Sequence, residues 1–330
     1  MKPSFLVLSV LLALILCGNA IVISTGVIVG ASLTGLAGVA VSLNCLIYEC
    51  CRKPDSKSSA AALELDFKKH VFGQHIVQDV VVNAIRAHFD KIESSRKPLV
   101  MSFHGPSGTG KNYVAGFVAT ALFKNGIRSK FVKKFTAATT DKDLAGKVKE
   151  AVKNCPYSLF IFDEIELMPK GVFDPIVSLL DHHSDLEDHD FSKSVFIFLS
   201  NSAGAEITKT LKSIMVAGRY RDETGLEDFQ HVAQLGAYNI EGGLHRSKLI
   251  ASHVIDHFVP FLPLEQIHVE LCIKKEYILN GCPDEPTEKD IRKIIALAMT
   301  KDDTKTFSNG GCKRIHKTVA SHCNPQRKKY

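Results

Sequence analysis

Gly105-Pro106-Ser107-Gly108-Thr109-Gly110-Lys111-Asn112 is the stretch whose reading decides the fold. It follows an apolar run, Leu99 to His104, and opens a helical pattern, which is the context a phosphate-binding loop requires. The glycines let backbone N–H groups turn inward around phosphate oxygens, the helix N-terminus adds the positive end of its dipole, and Lys111 reaches the β- and γ-phosphates of ATP. Gly105, Pro106, Ser107, Gly108, Thr109 and Gly110 form the cradle. One position departs from the pattern. The residue after the lysine ordinarily supplies the Ser or Thr hydroxyl that ligates Mg²⁺, and here it is Asn112, whose amide oxygen can accept a metal or a water ligand.

Further along, Leu159-Phe160-Ile161-Phe162 delivers Asp163 and Glu164 at the carboxyl end of an apolar strand. In a phosphate-loop sheet that edge faces the nucleotide. Asp163 is expected to hold Mg²⁺ through water, and Glu164 to orient or deprotonate the attacking water. A third apolar strand, Val195 to Leu199, ends in Ser200-Asn201. In AAA+ proteins, which this order of blocks resembles, a polar residue at that strand end contacts the γ-phosphate, and Asn201 is the candidate.

Between these strands lie helical patterns, Ile76 to Asp90, Asp141 to Lys153 and Val172 to Leu180. Apolar strands alternating with helices imply an α/β fold whose parallel sheet is flanked by helices. The pattern breaks at Val259-Pro260-Phe261-Leu262-Pro263. Beyond it the periodicity is helical, from Leu264 to Leu279 and from Thr287 to Met299, which predicts a small helical C-terminal domain. The acidic and His-rich run from Asp181 to Asp190 shows no recognised ligand spacing and reads as a solvated loop.

The N-terminus carries a second message. Lys2 precedes an apolar run from Phe5 to Cys17 and the small-residue stretch Gly18-Asn19-Ala20, the layout of a secretory signal peptide. Residues 21–43 stay apolar and uncharged, long enough to associate with a membrane. A span, a hairpin, a shallow insertion and an uncleaved anchor all fit that stretch. Arg52 to Ser59 reads as a linker. Nine cysteines behind a secretory signal imply an oxidising compartment and at least one disulfide. The formal charge of +6 is spread over the chain rather than gathered on a stripe, so a nucleic-acid partner is not expected.

With these motifs in place the chain resembles the torsins, and behind them the Clp-type AAA+ unfoldases. The marks are Phe72-Gly73-Gln74-His75, the Gly-Thr-Gly-Lys-Asn ending of the loop, Phe160 to Glu164 and Phe198-Leu199-Ser200-Asn201. Val259 to Glu265 and Gly311-Cys312-Lys313 complete the set. The resemblance implies an AAA+ ATPase of the endoplasmic reticulum lumen and nuclear envelope that acts on protein or membrane complexes. It implies a homo-oligomer or hetero-ring and a membrane-anchored activator of the lamina-associated polypeptide 1 type. Lys313 would be the γ-phosphate sensor of the small domain. Cys312 would pair with Cys272, with Cys282 a competing partner, and Cys45 would pair with Cys155.

The expected organisation is a signal peptide over 1–20, a membrane-associating segment and linker over 21–57, the AAA+ nucleotide-binding domain over 58–263, and the small helical domain with its sensor over 264–330. In Clp-type relatives an arginine finger lies just before an Ile-Asp pair. Here Val254 precedes Ile255-Asp256, so slow intrinsic turnover and an arginine supplied in trans are expected. A nucleotide-gated scaffold that binds ATP with negligible turnover is the rival reading, and a cytosolic enzyme a third.

Overall fold

The computed structural model describes residue 45 and residues 48–140, 143–181, 190–239, 243, 248–299 and 306–323. The signal peptide and the membrane-associating segment expected over 1–43 lie outside the described residues, as does the His-rich run at 182–189. The chain divides into two units at Cys50 and Cys51. In the first, Cys45 and Cys50 form a disulfide. Among the described residues, no helix is long and apolar enough to cross a membrane.

The second unit opens with α1 (Ser56–His70) and α2 (His75–Asp90), followed by β1 (Leu99–His104), α3 (Lys111–Leu122), β2 (Val132–Phe135) and α4 (Leu144–Asn154). Then come β3 (Leu159–Asp163), α5 (Asp174–Leu180), β4 (Val195–Ser200), α6 (Gly204–Val216), α7 (Gln230–Asn239), the single turn α8 (Lys248–Ala251) and β5 (His257–Pro260). Three helices close the chain: α9 (Gln266–Leu279), α10 (Glu288–Ala298) and α11 (Ile315–His322).

The strands form one sheet in the order β2-β3-β4-β1-β5, every pairing parallel. Strand periodicity of two sorts the side chains onto two faces. Phe160 and Phe162 of β3 stack on Phe196 and Phe198 of β4, with centroids 4.6 and 4.8 Å apart, and α4, α5 and α7 cover that side. Leu159, Ile161, Val195, Ile197 and Leu199 face the other way, under α1, α2 and α3. Both faces are therefore buried, as an all-parallel sheet demands. A separate apolar cluster around Val269, Ile273, Tyr277, Ile294 and Val319 holds α9, α10 and α11 together.

Three elements differ from the sequence reading. The stretch read as a linker already enters α1, because Asp55 caps the helix by accepting the backbone N–H of Ser58 at 2.7 Å. β2 was not anticipated: its sequence, Val-Lys-Lys-Phe, has only its two end residues buried, which suits the edge of a sheet and breaks any apolar run. β5 runs into the proline-rich break, and Pro260 is tolerated because β5 pairs only with β1, leaving one side of the strand unpaired.

The cysteine pairing expected for Cys45 is corrected. Cys155 bonds to Cys51, with Cα atoms 5.5 Å apart, and Cys45 to Cys50. Linear spacing does not settle connectivity among neighbouring cysteines. Cys272 pairs with Cys312 as expected, and Cys282, the competing partner, bonds instead to Cys323.

Candidate functional site

The carboxyl ends of β1, β3 and β4 lie side by side, with His104 level with Ser200 and Asp163 level with Leu199. The loops leaving these three strands therefore converge on one edge. A cleft of about 380 Å³ opens there, lined by Ser107 to Asn112, Asp163, Glu164, Asn201, Cys312 and Lys313. Gly105 and Pro106 stand behind Lys111, whose ammonium donates to their carbonyls at 2.7 and 2.8 Å. Burial drives the Lys111 pKa down to about 8, with Glu166 and Asp163 opposing the shift and Lys313 adding to it. A desolvated ammonium folded back on its own loop is poised to exchange two carbonyls for phosphate oxygens.

The loop needs its glycines for contact as well as for turning. Gly108 has φ +78°, and a Cβ there would lie 1.9 Å from the carbonyl oxygen of Gly310. Gly311 has φ +49°, and its Cβ would lie 2.2 Å from the oxygen of Gly108, which also accepts the N–H of Cys312 at 3.1 Å. Backbone thus meets backbone directly, which sets Lys313 at the mouth of the loop. The disulfide between Cys272 and Cys312 fastens the same segment to α9.

Asn201 is held by a residue the sequence reading passed over. Glu166 accepts from the Asn201 side-chain amide at 2.8 Å and from its backbone N–H at 3.1 Å, and it takes the Ser200 hydroxyl at 2.9 Å. The chain of contacts continues inward. Ser200 meets Ser202 at 2.8 Å, Ser202 meets His104 Nδ1 at 2.8 Å, and His104 Nε2 meets Ser102 at 2.7 Å. His104 is fully buried, and desolvation, with the Lys111 charge adding to it, lowers its pKa to about 3, so the ring is neutral. Glu164 is exposed at φ +55°, a backbone conformation rare for a non-glycine residue and most often kept where function needs it.

At the opposite corner, Asn112 Nδ2 donates to Asp163 at 3.0 Å. Lys134, on β2, reaches both of them, 2.8 Å from Asp163 Oδ2 and 3.2 Å from Asn112 Oδ1. One carboxylate and one amide oxygen, with phosphate oxygens and water, are hard donors that fit Mg²⁺. Nothing in the pattern around Lys134 marks it as a site residue.

Two further polar groups explain family marks whose purpose the sequence left open. Gln74 is buried and ties the loop to the segment after β5, donating to the carbonyls of Leu262 at 2.8 Å and Thr109 at 3.2 Å and accepting from Leu262 N–H at 2.9 Å. Arg221 bonds the carbonyls of Gly73 and Pro263 and the Glu265 carboxylate, so it is committed to structure rather than to the cleft. Val254 is buried in the core, and among the described residues no arginine lines the cleft. Arg246, the nearest arginine before Val254 in sequence, lies outside the described residues.

The chain is similar to several known proteins. The torsin family profile matches residues 45–162. A torsin-like protein of Drosophila melanogaster is 40% identical over 289 residues, covering 84% of this chain and 85% of the relative. A torsin-like protein of Caenorhabditis elegans is 38% identical over 303 residues, covering 88% and 85%. Among solved structures, the S. cerevisiae Hsp104-ADP complex superposes with TM-score 0.57 at 16% identity, covering 81% of this chain and 47% of the Hsp104 chain. A closed-state reconstruction of Hsp104 with ATPγS and FITC casein gives 0.55 at 17% identity, covering 80% and 46%. This chain spans about half the length of those structures, and the likeness shows a fold shared with Hsp104.

Proposed function

This chain belongs to the torsin family, and on that premise we propose that it is a lumenal ATPase of the endoplasmic reticulum and nuclear envelope whose site is completed by a membrane-anchored partner. The observation that carries the ATPase reading is convergence. Lys111, Asp163, Glu164, Asn201 and Lys313 come from well-separated stretches of sequence and line one cleft. ATP would be held by the backbone cradle and Lys111, and Mg²⁺ by Asp163 and Asn112. The ion supplies neutralising charge on the phosphate oxygens.

The chain's own groups then divide the work. Glu164 receives the proton of the attacking water or orients it, Asn201 places that water against the γ-phosphate, and Lys313 reads the γ-phosphate from the helical side. Charge developing on the phosphoryl oxygens still needs a further cation. The buried Val254 and the absence of arginine from the described lining support its supply by a partner, one resembling lamina-associated polypeptide 1. The chain then works as one member of a homo-oligomer or hetero-ring, and its hydrolysis remodels protein or membrane complexes. The signal-like residues 1–20, the apolar residues 21–43 and four disulfides support a membrane-associated life in an oxidising lumen.

The test is steady-state ATP hydrolysis by the chain alone and with the lumenal domain of such a partner. Slow turnover alone and acceleration on the order of 10³-fold by the partner are expected. Brisk turnover alone, or activation that survives loss of every arginine on the partner's contact face, would remove the arginine-in-trans mechanism. A rival reading draws on the Asn112 amide being engaged with Asp163: tight ATP binding with no turnover under either condition would identify a nucleotide-gated scaffold.

A further inference from the structure

The metal corner already contains a cation. Asn112 Oδ1 and both oxygens of Asp163 are the protein's candidate ligands there, and each of the three accepts an N–H. Asp163 Oδ1 takes Asn112 Nδ2, while Asp163 Oδ2 and Asn112 Oδ1 share the Lys134 ammonium. The placement follows from the sheet. Lys134 pairs with Ile161, so strand periodicity puts it on the same face as Ile161 and Asp163, the face under α3, whose first turn carries Asn112. Both lysines of the edge strand are exposed, but Lys133 is directed to the other face. The pair thus separates an ordinary edge lysine from one aimed at the site.

We propose that Lys134 is a built-in counter-cation of the nucleotide site: it competes with a divalent ion for Asp163 and Asn112 and lends positive charge to the triphosphate in that ion's place. The consequence is nucleotide binding with a reduced requirement for Mg²⁺. Asn112 fits this arrangement, because its amide gives the two contacts to separate atoms, Nδ2 donating to the aspartate and Oδ1 accepting from the ammonium. The inference rests on the ATP-binding reading above and adds to it a residue that sets the role of the metal.

The measurement is the dissociation constant of a fluorescent ATP analogue for the full chain, in Mg²⁺ and in EDTA at one ionic strength, since exposed charges are screened by salt. The quantity read is the ratio of the EDTA value to the Mg²⁺ value. Lys134→Met, which keeps the aliphatic stem and removes the charge, is expected to raise that ratio by about fivefold or more. Lys134→Arg, which keeps the charge, and Lys133→Met, which removes an equal charge on the opposite face, should both stay close to the parent ratio. A smaller rise in the Lys134→Met variant, or an equal rise on changing Lys133, overturns the proposal while leaving ATP binding intact. No binding by the parent chain in either buffer overturns the ATP-binding reading itself, and this inference with it.

Discussion

The sheet side of the cleft and its helical side are built on different principles. On the sheet side, Glu166, Asn201, Ser200, Ser202, His104 and Ser102 form one hydrogen-bonded chain running from the exposed rim into the core. On the helical side, Lys313 is placed by a contact between two glycine backbones, one N–H donated to Gly108, and the disulfide of Cys272 and Cys312. The first side is part of the folding core, so damage there is read as lost stability. The second rests on a few contacts and a reducible bond, so damage there is read as altered nucleotide affinity with the core intact.

The two disulfides of the second unit that flank these regions give the sharpest contrast. The bond between Cys51 and Cys155 closes 104 residues and anchors the stretch ahead of α1 to the turn before β3. Its removal in Cys51→Ala/Cys155→Ala should cost about 2–4 kcal/mol in chemical denaturation, with ATP affinity in the folded protein unchanged. Equal stability with and without it would break the comparison.

His104 tests the same side by pH. Its folded pKa of about 3 lies below that of a free histidine, so between those values the unfolded chain binds a proton that the folded chain refuses. Stability is then fully present above the free value and falls as the pH drops through the window, by about 1.4 kcal/mol per pH unit from this one ring. Replacing His104 by Gln should flatten the slope of melting temperature against pH between 6 and 4. An unchanged slope would mean that the ring is not held neutral.

The smallest expected effect belongs to the helical side. Reducing the bond between Cys272 and Cys312 should weaken ATP binding by a few-fold, on the order of 1 kcal/mol, because Lys313 loses one of its fastenings. The melting of the α/β core should not move. The double alanine variant should show the same loss of ATP affinity as protein in which this bond alone is reduced, and a free thiol at Cys312 in protein from an oxidising compartment would contradict this account.

Legibility in the sequence followed the same division. β1, β3 and β4 could be read because they are buried on both faces and therefore appear as unbroken apolar runs, and each ends in residues whose chemistry is distinctive. β2 and β5 escaped because edge strands carry lysine or proline without penalty. The loop, Asp163, Glu164, Asn201 and Lys313 were found by motif and do meet in one cleft. Glu166, His104, Lys134 and Arg221 were not, since their partners are distant in sequence or depend on sheet register, which no local pattern encodes. Among the cysteines, connectivity around 45, 50 and 51 was settled only by the fold.

The central claim is that one cleft both binds ATP and hydrolyses it, with separate residues for each task. The most direct test is to measure ATP binding and single-turnover hydrolysis together, in the presence of the activating partner, for the parent chain, Lys111→Ala and Glu164→Gln. Loss of the buried Lys111 charge should weaken binding by about 100-fold or more, whereas Glu164→Gln should bind ATP as the parent does and leave it intact. Hydrolysis by Glu164→Gln at the parent rate, or parent-like ATP affinity in Lys111→Ala, would contradict the assignment.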